Sequence, residues 1–477
     1  MKPSDQSRQN SVFERLRSGI MAGALQGGAR LPPSRLLAGE LGVARQTVVL
    51  VYERLAAEGY VRARVGSGTF VATDLPDAVP ESGRAAAVSG PVMGAALSRR
   101  GSAMANVPVS AAGVVADGSL LLAPGVPSSD SFPAAAWGRC SARALKGFDG
   151  AAYPDLQGLP ALRQAVASHL LATRGLIAET EQIVITAGTQ QALRVAGELL
   201  LDPGDVAWVE EPGYIAGRGA LLAAGARLVP VPADADGLDV AAGVRLAGQA
   251  RLALVAPSHA TPLGGALPIG RRLALLDWAG QAGAWVLEDD CDAEFRWEGK
   301  PLPPLAALDR GGRVIYCGSF SKTLAPGLRL GFAVVPRPLT ASFVRARGLG
   351  DRGPGSLQQA ALAEFIGAGL LGPHVRRMRT EYARRRSALL DALRRHCRWA
   401  TALAAPGGLH LVLRLDDGVD EARVVVAARA RGLAVSPFAA YFCGASAFPG
   451  LVVGFATTPT ALAGEAARRL AASIRAA

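Results

Sequence analysis

Apolar residues recur at helical spacing near the start of the chain, and short alternating runs follow them. The segment SVFERLRSGIMAGAL predicts a first helix whose apolar face is formed by Val12, Leu16, Ile20 and Ala24. After Pro32-Pro33, Ser34 is placed to cap a second helix, which Gly42 ends. The segment ARQTVVLVYERLAAEGY predicts a third helix with its apolar face at Val48, Val51, Tyr52 and Leu55.

Two short β-rich runs around Gly66-Ser67-Gly68 complete this unit as a hairpin. Three helices and a hairpin over residues 11–72 predict a winged helix-turn-helix, whose third helix meets the major groove of DNA with its first residues. A small helical interaction module with a solvated basic face is the alternative, but the order of the elements favours DNA binding. The candidate base-reading groups are Arg45, Gln46 and Thr47. The candidate phosphate ligand is Arg35, and the candidate contact at the wing tip is Ser67.

The segment LPPSRLLAGELGVARQTVVLVYERLAAEGYVRARVGSGTFVA closely resembles the DNA-binding domain of GntR-type bacterial regulators. Ala44 departs from the family, which often has a serine that caps the recognition helix. Loss of that cap costs roughly 1 kcal/mol of helix stability, so we expect the fold to survive. The resemblance implies that residues 1–74 form a DNA-binding domain.

Residues 75–118 are poor in the side chains that build a core. Ala, Gly, Ser and Pro make up 26 of these 44 residues, and none of the 44 is aromatic. This composition predicts a flexible linker with a reach of about 35–40 Å. A partly packed loop is the alternative.

Apolar runs beyond the linker alternate with long Ala- and Leu-rich helical stretches. The runs typical of buried strands are QIVITAG, DVAWVEE, RLALVAP, AWVLEDD and RVIYCGS. Strands that alternate with helices predict a mainly parallel sheet covered by helices, so residues 119–477 form a large α/β unit. Its C-terminal part predicts a smaller α+β piece.

The basic residues of the chain are divided unevenly between arginine and lysine. The formal net charge is +12, from 51 basic and 39 acidic residues, which permits nucleic-acid binding without requiring it. The lysines are only Lys2, Lys146, Lys300 and Lys322. A lysine in such a chain points to a need for a primary amine rather than for positive charge alone.

Lys322 lies in the segment YCGSFSKTLAPGLRLGF, beside hydroxyl groups and an arginine. Pyridoxal phosphate (PLP) needs a lysine amine for its Schiff base, and the hydroxyls of Ser319 and Ser321 with the Arg329 fork suit its phosphate. Upstream, AGTQQAL predicts a turn from strand to helix at Gly188-Thr189, an arrangement whose backbone N–H groups bind anions.

Two further segments offer groups for the cofactor ring. EEPGY ends in Tyr214, an aromatic side chain that can stack on a pyridine face. VLEDDCDAEF offers Asp289 as the carboxylate that keeps the pyridine nitrogen protonated. The other acidic residues of this segment are expected to form a solvated loop: Asp290, Asp292 and Glu294.

From about residue 120 to its end, the chain resembles the fold type I aminotransferases. The resemblance implies that Lys322 forms the internal aldimine, Asp289 pairs with the ring nitrogen and Tyr214 stacks on the ring. It also implies a set of phosphate ligands: Gly188, Thr189, Ser319, Ser321 and Arg329. Tyr153 matches a tyrosine that reaches the phosphate of the neighbouring subunit, which implies a homodimer. A GntR-type domain joined to this fold is the plan of the MocR subfamily of PLP-dependent regulators, and the whole chain is identified as a member.

Three positions depart from the family pattern. Cys291 stands where the subfamily usually has a tyrosine near the ring hydroxyl of the cofactor. Thr261 takes the place of an asparagine that serves the same hydroxyl, and His259 is a candidate substitute. Val452 replaces an arginine that clamps the α-carboxylate of the substrate, so an ordinary amino acid lacks its main anchor unless another arginine serves.

These observations favour a PLP-dependent transcription regulator whose large domain senses PLP itself or an amino compound. An active aminotransferase that carries a DNA-binding domain is the alternative, although the missing clamp predicts little turnover. A repressor that has lost its cofactor is disfavoured, because the lysine, the aspartate and the arginine are all present. The polar N-terminus and the five scattered cysteines, without CxxC or HxxxH pairs, predict a cytoplasmic protein with no metal site.

Overall fold

The computed structural model describes residues 5–64, 67–75, 97–108, 121–150, 153–290, 292–299, 303–403 and 406–477. The chain divides into two compact units, Met1–Ala96 and Leu97–Ala477. Within these described ranges, no helix is long and apolar enough to cross a lipid bilayer.

The first unit is a winged helix-turn-helix, as the sequence predicts. Its elements are α1 (Asp5–Met21), α2 (Ser34–Leu41), α3 (Arg45–Ala57), β1 (Val61–Arg64) and β2 (Gly68–Val71). The two strands pair antiparallel to form the wing. One core joins the helices to the wing, and its members include Val12, Leu16, Ile20, Leu37, Val48, Val51, Leu55 and Val71.

Two details of the helix ends differ from expectation. Ala24 is exposed and lies beyond α1, because the helix stops at Met21 and Gly23 turns the chain with φ 74°. Ser34 is the first residue of α2 rather than its cap, because Pro33 holds the extended backbone before it and no side chain caps this helix. Gly42 ends α2 in the left-handed conformation (φ 64°), as predicted.

The second unit contains the remaining helices and strands. Its helices are α4 (Arg99–Ala105), α5 (Ala134–Lys146), α6 (Pro160–Arg174), α7 (Thr189–Leu200), α8 (Ile215–Ala223), α9 (Val240–Ala247), α10 (Ile269–Ala282), α11 (Leu305–Leu308), α12 (Arg337–Asp351), α13 (Ser356–Gly367), α14 (Leu371–His396), α15 (Glu421–Arg429) and α16 (Ala463–Arg475). Its strands are β3 (Ile183–Thr186), β4 (Val206–Glu211), β5 (Arg227–Asp234), β6 (Gly237–Leu238), β7 (Leu252–Val255), β8 (Trp285–Asp289), β9 (Val314–Ser319), β10 (Gly331–Val334), β11 (Ala400–Ala402), β12 (His410–Leu415), β13 (Ser436–Pro437) and β14 (Gly450–Gly454).

The large sheet has the strand order β3-β10-β9-β8-β7-β4-β5-β6. Strands β4, β5, β7, β8 and β9 run parallel, and β10 runs antiparallel to both of its neighbours. All five predicted apolar runs are strands of this sheet, at β3, β4, β7, β8 and β9. Because the carboxyl ends of its parallel strands share one edge, the loops that follow them meet there.

A second, antiparallel sheet has the order β11-β12-β14-β13 and forms the small C-terminal part. Side chains alternate between its two faces. Leu411, Leu413, Leu451 and Val453 belong to a core shared with α14 and α16. Val412 and Val452, which pair across β12 and β14, lie on the other face with Ile215 of α8.

Residues 97–108 correct part of the linker prediction. They include α4, whose N-terminus is capped by the Ser98 side chain, and Val107 packs into the apolar cluster that contains Ile215 and Val452. Gly219 of α8 lies beside Val107, and a Cβ there would make an ordinary contact of 3.5 Å with a Val107 methyl group. Val107 is the side chain of this segment that packs into the cluster, and together with α4 it makes these residues a partly packed segment. The other residues of the predicted linker, apart from Leu75, lie outside the described ranges.

Candidate cofactor site and DNA interface

The predicted cofactor residues of the large sheet gather at one edge. Register places Thr186, Gly331 and Ser319 side by side on β3, β10 and β9. Asp289 ends β8 opposite Cys317 of β9. The loops that carry Gly188, Tyr214, His259 and Lys322 follow β3, β4, β7 and β9, so separate segments of the sequence converge on this edge.

Gly188 and Arg329 form a cationic cradle at the start of α7. Gly188 has φ 103° and caps the helix, and a Cβ at this position would lie 3.4 Å from a terminal guanidinium nitrogen of Arg329. Arg329 itself adopts the left-handed conformation (φ 51°), which is uncommon for a residue with a side chain. A guanidinium beside a helix N-terminus brings two positive charges together, and an anion bound between them relieves their repulsion.

Gly331 keeps this cradle compact. A Cβ on Gly331 would lie 2.7 Å from Gly188 Cα and 2.8 Å from the Gly318 carbonyl oxygen. Both of these contacts are to backbone, which cannot swing aside as a flexible side chain can. The sequence therefore needs glycine here so that β10 approaches the start of α7.

Lys322 and the two serines follow directly after β9. The Ser319 hydroxyl accepts a hydrogen bond of 3.0 Å from the Ser321 backbone N–H. The half-buried Lys322 donates from Nζ to the carbonyl oxygen of Gly125. The lysine amine therefore points toward the segment that leads into the large unit rather than outward to solvent.

One small cavity lies beneath this edge, and the residues that line it include Asp289, Glu210 and Tyr214. Burial raises the pKa of Glu210 to about 8, with a backbone hydrogen bond from Ala256 opposing the rise and the charge of Asp289 adding to it. Glu210 is consequently protonated at neutral pH. Sequence reasoning missed Glu210, because the pattern EEPGY does not reveal which of its two glutamates points inward.

Asp290 is not part of a solvated loop, contrary to the prediction for the acidic segment. It is buried and forms an ion pair of 2.8 Å with Arg174 of α6. The Tyr316 hydroxyl donates a 2.6 Å hydrogen bond to the same carboxylate. Glu294 also differs from the predicted solvated loop. Burial raises the pKa of Glu294 to about 7, and the charge of Asp290 adds to this rise. The loop after β8 folds inward because the large unit supplies cationic and hydroxyl partners.

His259 lies in a buried group with Asp292 and His410. Its Nδ1 is 3.5 Å from a carboxylate oxygen of Asp292, its ring centroid is 5.4 Å from that of His410, and its Nε2 faces Gly408. The pKa of His410 is lowered to about 4, mainly by burial and with smaller contributions from the charges of His259 and Lys322. His410 was missed in the sequence, because it lies far from the lysine along the chain. Contact of His259 with the cofactor stays a prediction.

Of three other positions that the sequence analysis singled out, one is exposed, one is buried and one lies outside the described residues. Tyr153 is 77% exposed, and the guanidinium carbon of Arg352 lies 5.0 Å from its ring centroid. Val452 is fully buried in the apolar cluster with Ile215, Val412, Phe438 and Tyr441. Cys291 lies outside the described residues.

The predicted DNA contacts all lie in the first unit. Arg45, Gln46 and Thr47 are the first three residues of α3, and Arg45 Nε is 3.4 Å from the Ser34 hydroxyl at the start of α2. Arg35, Arg45, Gln46 and Ser67 are exposed. Ala44 supplies no side-chain cap, as the sequence indicates. Sequence reasoning missed Arg30, whose guanidinium lies against Gly68 at the wing.

Comparisons with known proteins match both units. Residues 119–470 match the family described as "Aminotransferase class I and II", and residues 8–71 match "Bacterial regulatory proteins, gntR family". A solved structure of LysN, an α-aminoadipate aminotransferase from Thermus thermophilus complexed with N-(5'-phosphopyridoxyl)-L-leucine, is 29% identical with a TM-score of 0.72, over 79% of this chain and 97% of that one.

Two curated relatives match nearly the whole chain. The "probable rhizopine catabolism regulatory protein MocR" of Rhizobium meliloti is 40% identical over 95% of this chain and 91% of the relative. The "HTH-type pyridoxine biosynthesis transcriptional regulator PdxR" of Corynebacterium glutamicum is 34% identical over 93% of this chain and 91% of the relative. The chain therefore belongs to the MocR subfamily of GntR-type transcription regulators, in which a DNA-binding winged helix-turn-helix precedes an aminotransferase-like domain with PLP as its cofactor.

Proposed function

We propose that the large domain holds PLP through Lys322 and reports the state of that site to the DNA-binding domain. The observation that carries this proposal is the convergence of a lysine amine and a cationic cradle at one edge of the sheet. Bound there, PLP supplies an electrophilic carbon that combines reversibly with primary amines. The Lys322 amine is the protein group of the right chemistry for that carbon.

The phosphate of PLP fits the cradle. Gly188 and Thr189 offer backbone N–H groups at the start of α7, and Arg329 adds a fork of donors. The hydroxyls of Ser319 and Ser321 lie on the loop between β9 and Lys322. In this proposal these groups would hold the phosphate, and the Lys322 amine would bind the electrophilic carbon of the cofactor.

The cavity below provides one negative charge for the pyridine nitrogen. Because burial keeps Glu210 protonated at neutral pH, Asp289 is the carboxylate of this pair that carries the charge. A charged aspartate stabilises the protonated nitrogen, which makes the ring a better electron acceptor. Tyr214 lines the same cavity and is placed to stack on the ring.

Attachment at Lys322 is tested on the purified protein. We expect a visible absorbance band that borohydride abolishes, with the reduced cofactor fixed to the peptide that contains Lys322. Lys322→Ala should lose the band, whereas Lys146→Ala, which removes an exposed lysine of α5, should keep it. A label on Lys146 or Lys300, or a band that survives in Lys322→Ala, would overturn the assignment.

The signal sensed is PLP itself or an amino compound that exchanges with Lys322. Two subunits, each with a tethered winged helix, match the spaced half-sites that dimeric helix-turn-helix proteins bind. The exposed Tyr153 supports a homodimer in which this side chain reaches the phosphate of the neighbouring subunit. In this proposal the segment between residues 75 and 118 joins the two domains. A regulator of this kind works in the cytoplasm, where the chromosome is.

A further inference from the structure

We propose that the helices of the small C-terminal part bind the phosphate backbone of DNA next to the site that the winged helix holds. The surface is here called the arginine face and consists of Arg398, Arg431, Arg468, Arg469 and Arg475. The proposal goes beyond the proposed function, because it gives the large domain a DNA-binding surface of its own that does not depend on PLP.

The positive charge of the chain is concentrated outside the DNA-binding domain. Residues 1–96 contain 11 basic and 8 acidic residues, residues 97–370 contain 24 of each, and residues 371–477 contain 16 basic and 7 acidic residues. All 16 basic residues of the last region are arginines, so this region carries +9 of the net charge of +12. Such an uneven distribution of charge along one chain indicates a surface that binds a polyanion.

Three helices place these arginines on one side of the small sheet. Helices α14, α15 and α16 share one hydrophobic core with Leu411, Leu413 and Val453 of the sheet, and α16 packs against both other helices. Because this core takes up the inner side of each helix, the polar side chains lie on the outer side. Four arginines on these helices or directly after them are exposed: Arg398, Arg431, Arg468 and Arg475.

A groove between α16 and the end of α15 brings three arginines together. Arg431, Arg468 and Arg469 all line it. Arg469 forms an ion pair with Glu465 on its own helix and also donates to the Arg431 carbonyl oxygen at 3.3 Å. Arg431 donates to the Ala427 carbonyl oxygen at 2.9 Å, which fixes its side chain without neutralising its charge.

Two further arginines flank Trp399. The guanidinium carbons of Arg398 and Arg475 lie 5.6 Å and 5.1 Å from the ring centroid. The ring attracts these cations but offers no acceptor oxygen for their N–H groups. Arg475 follows Arg468 by seven residues, so the two project to the same side of α16, about 10 Å apart along the helix axis. The groove and the Trp399 group therefore form one positive strip along α16.

The charges of this strip are mostly not balanced by carboxylates. Within the described ranges, no ion pair includes Arg398, Arg431, Arg468 or Arg475. The acidic loop before α15 marks the border of the face, where Asp416 and Asp417 are exposed and Asp420 caps the helix. Arg423 follows this acidic loop at the start of α15 and lies outside the arginine face.

DNA is the polyanion that this chain already binds through its first unit. A duplex carries one negative charge per about 1.7 Å of its axis, and arginine forks match the geometry of phosphate oxygens. Because both surfaces belong to one chain, DNA held by the winged helix is presented to the arginine face at high effective concentration. Phosphate contacts carry no sequence information, so the face should add affinity without changing the preferred sequence.

The test measures how affinity depends on salt for two DNA duplexes with the full-length, PLP-loaded protein. The short duplex is trimmed to the half-site that the protein selects from random sequence. The long duplex adds about 20 base pairs on each side, and each flank then supplies about 40 more phosphates. For wild type, we expect the long duplex to give the steeper fall of log affinity with log salt.

The triple variant Arg398→Gln, Arg468→Gln and Arg475→Gln should lose about 2–3 units of slope on the long duplex, since each phosphate contact contributes about 0.9. On the short duplex it should behave as wild type. The Lys322-dependent absorbance band should be unchanged, so a failure of PLP attachment remains separate from a failure of this proposal.

The matched control is Arg227→Gln, Arg245→Gln and Arg310→Gln, which removes three exposed arginines outside the basic region. It should keep the wild-type slope on both duplexes. Equal slopes for the two triple variants on the long duplex would overturn the proposal and leave an acidic protein as the partner of the face. A merely structural role at the helix ends would lower unfolding free energy without changing the slope, and it would overturn the proposal too.

If the triple variant does not fold, Arg468→Gln decides the question alone. Its side chain is exposed on the outer side of α16, and its loss should reduce the slope on the long duplex by about one unit. A slope equal to that of wild type in this folded variant would contradict the proposal.

Discussion

Glu210 illustrates how one buried side chain sets the charge of a neighbour. Glu210 of β4 and Asp289 of β8 line one buried cavity, where two carboxyl groups cannot both ionise cheaply. Burial raises the pKa of Glu210 to about 8, so the proton stays on this residue at neutral pH. This agrees with our proposal that Asp289 is the carboxylate that pairs with the pyridine nitrogen.

The raised pKa of Glu210 predicts a pH-dependent contribution to stability. The folded state retains the Glu210 proton up to a pH of about 8, whereas an unfolded glutamate loses it near its ordinary pKa of 4.5. Stability from this group is therefore present at low pH and is lost as pH rises from about 4.5 through 8. Glu210→Gln removes this loss, so between pH 6 and 9 its unfolding free energy should improve relative to wild type by about 3 kcal/mol.

Denaturant titrations at pH 6 and pH 9 measure this change. Glu198→Gln, at a partly exposed glutamate that pairs with Arg194 on α7, is the matched control and should show no comparable shift. If the difference between Glu210→Gln and wild type were independent of pH, Glu210 would not be the protonated partner of Asp289.

Arg45 and Arg35 are predicted to act on DNA in different ways. Arg45→Ala at the start of α3 removes a group that reads bases, so it should relax sequence choice and cost about 1–3 kcal/mol of specific binding. Arg35→Ala on α2 removes a phosphate contact, so it should weaken all sequences alike and reduce the salt slope by about one. Binding isotherms at several salt concentrations separate the two effects.

The control for this pair is Arg423→Ala, which removes an exposed arginine from α15 of the large unit. It should change neither sequence choice nor the salt slope. Wild-type behaviour of both Arg45→Ala and Arg35→Ala, with the fold intact, would show that the first unit meets DNA through another surface.

At the scale of elements, the junction of β10 with α7 forms the cationic cradle that we propose for the phosphate of PLP. Gly331→Ala would push a methyl group against the backbone of Gly188 and Gly318, so these strands and the helix must separate. We expect PLP affinity to fall at least tenfold and unfolding free energy to fall by about 1–3 kcal/mol. Spectroscopic titration with PLP and denaturant unfolding measure the two quantities.

Gly270→Ala is the control for this prediction. Gly270 lies in α10, and a Cβ there meets nothing within 4 Å. A helical Gly→Ala change of this kind should leave PLP affinity unchanged and stabilise slightly. If Gly331→Ala bound PLP as tightly as Gly270→Ala did, close approach of β10 to α7 would not be required.

The sequence predicted the helices and strands better than it predicted which side chains from distant segments come into contact. Buried strands such as β4 and β8 are continuous apolar runs, and the three N-terminal helices carry their own apolar periodicity, so local pattern sufficed. The inward fold of Asp290 depends on Arg174 and Tyr316, which are far away in the chain. The position of His410 beside His259 likewise depends on the packing of the small sheet, which no local pattern encodes.

The helix α4 shows the limit of compositional arguments. Residues 97–108 contain few apolar side chains, so composition predicted no structure. Val107 nevertheless packs against the apolar cluster that contains Ile215 and Val452. Whether such a segment becomes ordered depends on the surface against which it packs.

At the scale of the whole molecule, a DNA-binding unit and a cofactor-binding unit occur in one chain. A ligand changes DNA binding only if it favours one state of the protein over another, and the shift equals that difference in affinity. A regulator therefore needs no catalytic turnover. Val452, which stands where the sequence analysis expects a carboxylate clamp, is buried and has no hydrogen-bond donor in its side chain.

The most direct test measures DNA affinity as a function of the state of Lys322. The DNA is a fragment that the protein itself selects from random sequence, and salt is held constant. For the wild-type protein, adding PLP, or ethanolamine after PLP, should change the affinity or the footprint. For Lys322→Ala the same additions should change neither. Wild-type DNA binding that is indifferent to every state of the cofactor, with sustained conversion of an amino acid to a keto acid, would contradict the account and favour an enzyme.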